Sequence, residues 1–181
     1  MIFLYNTHIM TDYSHLITEI ADFPVPGVLF REISPLLADK TARDEILEKI
    51  GNFIREKNIE VIAGIDARGF IIGSLLAQKY NLPFVMIRKA GKLPASLTIQ
   101  ESYSYEYSEA TLTVRSEFLK GKNVLVTDDV LATGGTLAAA LKLAERSGAR
   151  EVYGAILLEL TSLRWREKLN EYQIFSAIQY N

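Results

Sequence analysis

Short apolar runs alternate with segments of helical periodicity along most of the chain. Continuous apolar runs rich in β-branched residues predict strands buried on both faces, whereas a one-sided apolar stripe predicts a helix. This alternation predicts an α/β fold with a largely parallel sheet. The predicted strands are 61–65, 83–87, 124–126, 151–160 and 173–178, and the predicted helices are 39–57, 70–80, 137–145 and 161–169.

Segment 123–136 is the most informative stretch of the chain. Its apolar run 124–126 predicts a buried strand, and a good helix-forming run follows, closed by Gly148. Two glycines at the start of a helix let the backbone approach an oxyanion, and the amide groups and helix dipole favour a phosphate there. We therefore predict a phosphate site formed by Ala132, Thr133, Gly134, Gly135 and Thr136.

Two acids, Asp128 and Asp129, lie between this strand and the turn. They would repel a phosphate, so we expect them to bind vicinal ribose hydroxyls or a magnesium ion with its waters. The segment lacks the Gly-Lys-Ser/Thr ending of a Walker A loop and the G-x-G-x-x-G of a dinucleotide fingerprint. The alternative is an ordinary strand–turn–helix unit capped by threonine, with the acids at a solvated strand end.

Further charged residues follow the other predicted strands. Strand 61–65 leads into Asp66-Ala67-Arg68-Gly69, and strand 83–87 leads into a cationic run that contains Arg88, Lys89 and Lys92. Ligands collect at the carboxyl ends of parallel strands, so we expect these residues beside Asp128 and Asp129. Arg68 can bind an anion in a bidentate manner. The alternatives are a surface ion pair for Arg68 and a solvated turn for the cationic run.

Composition limits the possible classes of protein. A chain of 181 residues with 49% hydrophobic and 23% charged residues is typical of one globular domain. The net charge of −2 gives no sign of a nucleic-acid surface, and the absence of cysteine excludes disulfides and thiol chemistry. We expect a cytoplasmic protein, since no apolar run approaches the roughly 18–20 residues that span a bilayer. Met10 is a second possible start, so residues 1–9 are a possible extension.

Residues 124–136 resemble the phosphoribosyl-pyrophosphate signature of the type I phosphoribosyltransferases. Other segments, in matching order, resemble the adenine phosphoribosyltransferase family in particular, and the resemblance covers roughly residues 20–181. The segment around Phe30-Arg31 resembles the family's base-binding segment, although Glu32 stands where the family commonly has Asp. The cationic run resembles Arg-Lys-x-Gly-Lys-Leu-Pro, and residues 102–107 resemble the catalytic loop.

The resemblance implies the type I phosphoribosyltransferase fold in a single domain over residues 1–181. This fold has a mostly parallel sheet flanked by helices, a small N-terminal hood over 20–35 and a flexible catalytic loop over 95–109. The implied reaction is purine salvage, in which phosphoribosyl passes from 5-phosphoribosyl-1-pyrophosphate to N9 of adenine, giving AMP and pyrophosphate with Mg²⁺. It also implies a homodimer that binds neither nucleic acid nor membrane.

The resemblance assigns roles to individual residues. Glu106 and Tyr107 of the loop, with Arg68, are the catalytic residues, and Asp128 and Asp129 bind the ribose and the metal. Adenine stacks on Phe30, is covered by Leu160 and is read by backbone groups of Leu29 and Arg31. The residues expected to bind phosphoribosyl pyrophosphate and AMP are Asp66, Ala67, Arg68, Gly69, Arg88, Lys92, Asp128, Asp129, Ala132, Thr133, Gly134, Gly135 and Thr136.

Several alternatives stay open at this point. Phe30 could plug the core, residues 102–107 could form an edge strand that returns through 111–114, and Trp165 fits packing or an interface. A regulator of the same fold should lack the catalytic loop or carry a DNA-binding module. A phosphatase or kinase would use Asp129 as nucleophile or metal ligand. A hypoxanthine/guanine or xanthine phosphoribosyltransferase is the nearest competitor.

Overall fold

The computed structural model describes residues 12–105, 108–163, 165 and 169–180. These residues fall into two compact units, the first ending at Arg43 and the second beginning at Asp44. The first unit contains a two-stranded antiparallel sheet in which Ile20 pairs with Phe30 and Thr18 with Glu32. Its elements are the 3-10 turn Ser14–Leu16, strands β1 (Thr18–Ile20) and β2 (Phe30–Glu32), and helix α1 (Ser34–Ala38).

The second unit is built on a seven-stranded sheet. Its strands are β3 (Val61–Ile65), β4 (Phe84–Lys89), β5 (Ile99–Tyr105), β6 (Ser108–Val114), β7 (Asn123–Leu131), β8 (Glu151–Leu160) and β9 (Ile174–Tyr180). Its helices are most of α2 (Lys40–Glu56), α3 (Gly69–Tyr80) and α4 (Gly135–Arg146).

The spatial order of the strands is β5-β6-β4-β3-β7-β8-β9. Neighbours from β4 to β9 pair in parallel, whereas β6 pairs antiparallel with β4 and β5 antiparallel with β6. The prediction of an α/β fold with a mostly parallel sheet is confirmed.

Helices cover both faces of the central strands. Val124 and Val126 belong to one core cluster with Leu137 and Leu141 of α4. Thr127 points to the opposite face, since side chains alternate along a strand. Its hydroxyl donates a hydrogen bond of 3.2 Å to the carbonyl of Gly69 at the start of α3. Burial on both faces explains why β3 and residues 124–126 of β7 are continuously apolar.

Strand β7 is longer than the apolar run predicted. It pairs with β3 only as far as Thr127 but continues beside β8 to Leu131. Asp128 and Asp129 therefore lie on the strand itself, past the end of its pairing with β3, and not in a loop after it. Beyond Thr127 the backbone edge of β7 that faced β3 has no strand partner among the described residues.

The segment that resembles a catalytic loop is largely a hairpin. Residues 99–105 pair with 108–114 in antiparallel register, as the alternation of polar and aromatic residues predicted. Glu106 and Tyr107 lie outside the described residues. In the described part of the chain, no helix is both long and apolar enough to cross a membrane.

Candidate active site

The carboxyl ends of the parallel strands bring most of the predicted site residues to one edge of the sheet. Strands β3, β4, β7 and β8 run in the same direction, so the loops after them begin at the same edge. This topology places the loop 66–69, Arg88 and the turn 132–136 beside the acids of β7, as predicted from the alternation of strands and helices.

The turn before α4 lines a pocket of about 120 Å³ together with Asp128 and Val130. Gly134 occupies the N-cap position with φ +81°, a left-handed conformation that favours glycine, and no side chain caps the helix. The first amide groups of an uncapped helix have no partner within the helix and attract anions. The turn therefore has the geometry of a phosphate cradle, and its residues are Ala132, Thr133, Gly134, Gly135 and Thr136.

The two acids of β7 differ in exposure. Asp128 lines the pocket and is partly exposed, whereas Asp129 is 3% exposed. Oδ1 of Asp128 accepts a hydrogen bond of 2.9 Å from the Asp129 amide. Nε of Arg68 lies 2.8 Å from Oδ2 of Asp129, but no described group makes a hydrogen bond of good geometry to this buried oxygen. It keeps the capacity to accept one from a ligand.

The environment of the acids opposes their ionisation. Burial raises the pKa of Asp128 well above its usual range, and the adjacent Asp129 carboxylate raises it further. Burial also raises the pKa of Asp129, against the opposing effect of the Arg68 guanidinium. A metal ion or a set of hydroxyl donors at this position would therefore stabilise the ionised pair.

The donor set at the acid pair fits magnesium. Among the described residues no cluster of three or more His, Cys, Asp or Glu side chains suits a metal. Magnesium is usually held by only one or two carboxylates, with waters and substrate phosphates as its other ligands. Adjacent carboxylates, one with an unsatisfied buried oxygen, match that pattern.

A second ion pair lies between the loop after β3 and the end of β4. Nε of Arg88 donates a hydrogen bond of 3.2 Å to Oδ2 of Asp66, and the Arg88 carbonyl accepts one from Thr113. Lys89 and Lys92, in contrast, are exposed. The structure thus separates the cationic run into one half-buried arginine at the sheet edge and two lysines that face solvent.

Gly69 allows the loop after β3 to approach β7. A Cβ atom at this position would lie 2.5 Å from the carbonyl oxygen of Thr127, which no packed side chain permits. This steric role differs from the anion contact predicted for Gly69 and explains why the loop can bring Arg68 against Asp129. The sequence analysis did not identify Thr127 as a contact of this loop. The one feature that could have indicated it is that Thr127 is a polar residue directly after the apolar run 124–126.

The predicted base-binding segment belongs to the first unit. The rings of Phe23 and Phe30 form an edge-to-face contact with centroids 5.2 Å apart. Nη1 of Arg31 donates a hydrogen bond of 2.9 Å to the carbonyl of Leu29, and Gly27 adopts φ +86° in the turn between β1 and β2. The segment is thus a turn closed by local contacts.

The second unit also contains Leu160 and the hairpin strands on either side of residues 106 and 107. Leu160, the last residue of β8, is buried. The hairpin that carries Glu106 and Tyr107 is joined near its base to the last residue of α4, because Nη1 of Arg146 donates to the Gln100 carbonyl at 3.1 Å and forms an ion pair with Glu101. The same helix therefore begins at the phosphate turn and ends against the hairpin.

Comparison with known proteins decides the family. Residues 35–180 match the model of the phosphoribosyl transferase domain. The chain is 45% identical over 168 residues to adenine phosphoribosyltransferase of Dipodillus campestris, covering 91% of this chain and 93% of that one. It is 42% identical over 165 residues to the enzyme of Nitrosopumilus maritimus, covering 91% and 96%. The chain belongs to the adenine phosphoribosyltransferase family.

Solved structures of adenine phosphoribosyltransferases agree. The enzyme from Giardia lamblia, complexed with 9-deazaadenine, superposes with a TM-score of 0.87 at 36% identity, covering 92% of this chain and 95% of that one. The predicted type I phosphoribosyltransferase fold is confirmed, and the protein is an enzyme of the pentosyl-transfer class. The phosphatase and kinase alternatives do not fit this membership.

The raised pKa of Asp128 generates a stability prediction. The folded state favours the protonated form of Asp128. At a pH above the unfolded-state pKa of this carboxyl group, ionisation therefore lowers the free energy of unfolding, and this loss disappears as the pH falls below that pKa. We expect Asp128→Asn to raise the free energy of unfolding at pH 7 by about 1 kcal/mol in ligand-free protein with a chelator. Urea unfolding at pH 7 and near pH 4 measures the difference, which should shrink at the lower pH.

A control of opposite sign is available at the other end of the sheet. The pKa of Glu60 is lowered, chiefly because its carboxylate accepts a hydrogen bond from the Asn123 amide. Glu60 therefore contributes stability above its unfolded-state pKa that is lost as the pH falls, so Glu60→Gln should destabilise the protein at pH 7. An Asp128→Asn variant that is less stable than wild type at pH 7 would contradict our account of the acid pair.

Proposed function

We propose that the protein transfers phosphoribosyl from 5-phosphoribosyl-1-pyrophosphate to N9 of adenine with Mg²⁺, giving AMP and pyrophosphate in purine salvage. One juxtaposition carries the proposal: the acid pair of β7 lies beside a glycine-containing helix start, at the sheet edge that also carries Arg68 and Arg88. These are three distinct subsites, for a phosphate, for a diol or metal, and for a second anion. The relatives' names, and the 9-deazaadenine bound by the Giardia enzyme, support adenine as the base.

In this reaction N9 of adenine forms a bond to C1 of the ribose as the bond from C1 to pyrophosphate breaks, with inversion. The bonding electrons leave with pyrophosphate, and the transition state resembles an oxocarbenium ion. The protein contributes orientation and charge stabilisation, and no covalent nucleophile is needed. The turn 132–136 would hold the 5′-phosphate while Asp128 and Asp129 accept hydrogen bonds from the ribose hydroxyls, which fixes the sugar at both ends.

Asp128 and Asp129 would hold Mg²⁺ through its waters and through substrate oxygens. The bound cation would supply Lewis-acid stabilisation of the charge on the leaving pyrophosphate. In addition, its charge would oppose the effect of burial on the two carboxyl groups. The acids would then stay ionised at the pH of the reaction.

Arg68 is the residue we assign to the departing pyrophosphate. Nε of its guanidinium lies 2.8 Å from Oδ2 of Asp129, and its side chain is 46% exposed. A guanidinium has five donors in a rigid fork, so contact with Asp129 is compatible with bidentate binding of a phosphate. Arg88 would add a second positive charge, held in place by Asp66.

For the base, we propose stacking on Phe30 and coverage of the opposite face by Leu160. Backbone groups of Leu29 and Arg31 would distinguish adenine, which presents an amino donor and a ring-nitrogen acceptor where hypoxanthine presents a carbonyl and an N–H. The Leu29 carbonyl already accepts a hydrogen bond from the Arg31 side chain. A carbonyl oxygen has two lone pairs, so it can accept a second one from the amino group.

Radiolabelled adenine, hypoxanthine and guanine, each supplied with phosphoribosyl pyrophosphate and Mg²⁺, test the proposed reaction. We expect AMP from adenine and a kcat/KM for hypoxanthine lower by roughly 10⁴, because a reversed donor pattern leaves buried polar groups unpaired. Comparable turnover of hypoxanthine would favour the hypoxanthine/guanine alternative. Binding of phosphoribosyl pyrophosphate without any product would favour a non-catalytic regulator.

Glu106 is the proposed acceptor of the purine's imidazole proton, with Tyr107 beside it in the chain. Glu106→Gln keeps the size of the side chain but removes the base, so we expect turnover to fall by roughly 10²–10⁴ with little change in substrate affinity. Steady-state kinetics measure both quantities. Glu117→Gln is a suitable control, because Glu117 is an exposed residue paired with Arg115 outside the hairpin. Wild-type turnover in Glu106→Gln would remove the catalytic role.

We also propose that the protein is a cytoplasmic homodimer. Apolar side chains of the second unit remain exposed in one chain, among them Ile71 of α3 and Met86 of β4, each 43% exposed. Burial of such side chains against a second copy would be favourable. Light scattering should give about twice the chain mass of 20.3 kDa, and a mass equal to that of one chain at working concentration would contradict the dimer.

A further inference from the structure

The back of the phosphate turn rests on two side chains from the connection between β8 and β9. A Cβ atom built at Gly134 would lie 3.2 Å from Cβ of Trp165 and 3.3 Å from Cδ1 of Leu169. Both residues are almost fully buried, at 3% and 1% exposure. Gly134 thus adopts a positive φ and also leaves room for Cβ of Trp165 and the side chain of Leu169 directly behind it.

These two residues are also part of the core around α4. Trp165 and Leu169 belong to the same buried cluster as Leu131, Leu137 and Leu141. The connection also contacts the far end of the helix, because the Tyr172 hydroxyl donates a hydrogen bond of 2.9 Å to Glu145. Residues of one connection therefore contact α4 at both its start and its end.

The side chains of Trp165 and Leu169, which lie behind the turn 132–136, also border a cavity. A cavity of about 250 Å³ is lined by Trp165, Leu169, Asn170, Tyr172 and Ile174. Truncating either of the first two side chains would enlarge a space that already exists, and surrounding atoms would relax only partly into it. Either truncation would loosen the packing of the core segment against which Gly134 lies.

We propose that Trp165 is a positioning residue that preorganises the phosphate-binding turn, an inference that rests on the proposed role of residues 132–136. Cβ of Trp165 lies behind Gly134, and its buried side chain belongs to the core cluster that contains Leu131 and Leu137 on either side of the turn. Preorganised amide groups bind an anion without a further ordering cost, so their affinity depends on what supports them. Trp165 therefore sets the affinity for the 5′-phosphate, and the base and pyrophosphate subsites do not depend on it in the same way.

Kinetics of Trp165→Phe and Trp165→Ala test this role. In Trp165→Ala we expect the KM for phosphoribosyl pyrophosphate to rise by roughly tenfold to hundredfold, since small displacements of a binding group have effects of this size. The KM for adenine should change little, and Trp165→Phe should recover most of the loss. A folded Trp165→Ala variant with a KM for phosphoribosyl pyrophosphate within about twofold of wild type would overturn the proposal.

A second measurement uses the wild-type protein, so it does not depend on whether the variants fold. Trp165 is the only tryptophan of the chain, so fluorescence excited at a wavelength that tyrosine does not absorb reports on the surroundings of Trp165. Ribose 5-phosphate, which carries the phosphate but neither base nor pyrophosphate, should change the emission in a saturable manner, and pyrophosphate should not. Calorimetric binding of ribose 5-phosphate without any change in emission would overturn the proposal.

The two proposals fail in different ways. If wild-type protein makes AMP but the kinetics and fluorescence do not respond as expected, the positioning role is wrong and the proposed function stands. If wild-type protein makes no AMP, the proposed function is wrong, and the response of Trp165 to ribose 5-phosphate still decides whether the indole supports an anion site.

Discussion

Strand β7 pairs with β3 as far as Thr127 and with β8 as far as Leu131, and this unequal pairing is the constraint on which the site depends. Past Thr127 one edge of β7 is no longer occupied by a strand. The loop after β3 passes close to this part of β7, where Gly69 approaches the Thr127 carbonyl at a distance that excludes any Cβ atom. Arg68, the residue before it, then reaches Asp129. Sheet pairing, a glycine contact and an ion pair thus form one connected arrangement.

Burial of the acid pair lowers the stability of the ligand-free protein and would favour ligands that neutralise the two carboxylates. Adjacent carboxylates in a mostly buried position raise each other's energy, and a single arginine at the edge compensates only in part. A ligand that brings a cation or hydroxyl donors relieves this cost. Relief of the electrostatic cost at Asp128 and Asp129 would therefore add to the free energy of binding. Sites that lower the stability of the folded protein in this way are common where function requires them.

Helix α4 connects the parts of the site that are distant in sequence. Its start follows the turn 132–134, Trp165 and Leu169 lie behind Gly134, and Arg146 at its end contacts the base of the hairpin through Gln100 and Glu101. A helix of twelve residues thus lies between the proposed anion subsite and the base of the hairpin. A displacement of α4 at one end would therefore also move the residues that contact its other end.

The sequence by itself determined those features that depend on neighbouring residues. The buried strands followed from continuous apolar runs, and the turn into α4 followed from small residues and two glycines before a helix-forming run. The alternation of polar and aromatic positions over 102–107, with 111–114 returning, had offered an edge strand as the alternative to a loop, and strands at 99–105 and 108–114 are present. In each case, the physical cause, whether hydrophobic period, backbone freedom or helix initiation, acts over a few residues.

Tertiary structure decided the features that depend on distances between remote residues. The extension of β7 beyond β3 placed the acids on a strand, although the apolar run 124–126 had suggested that the strand ended before them. The steric role of Gly69 requires Thr127, which lies fifty-eight positions further along the chain. Trp165, which the sequence could assign only to packing or an interface, lies behind Gly134. Such contacts have no local signature, because they arise only when the sheet and the connection after β8 are assembled.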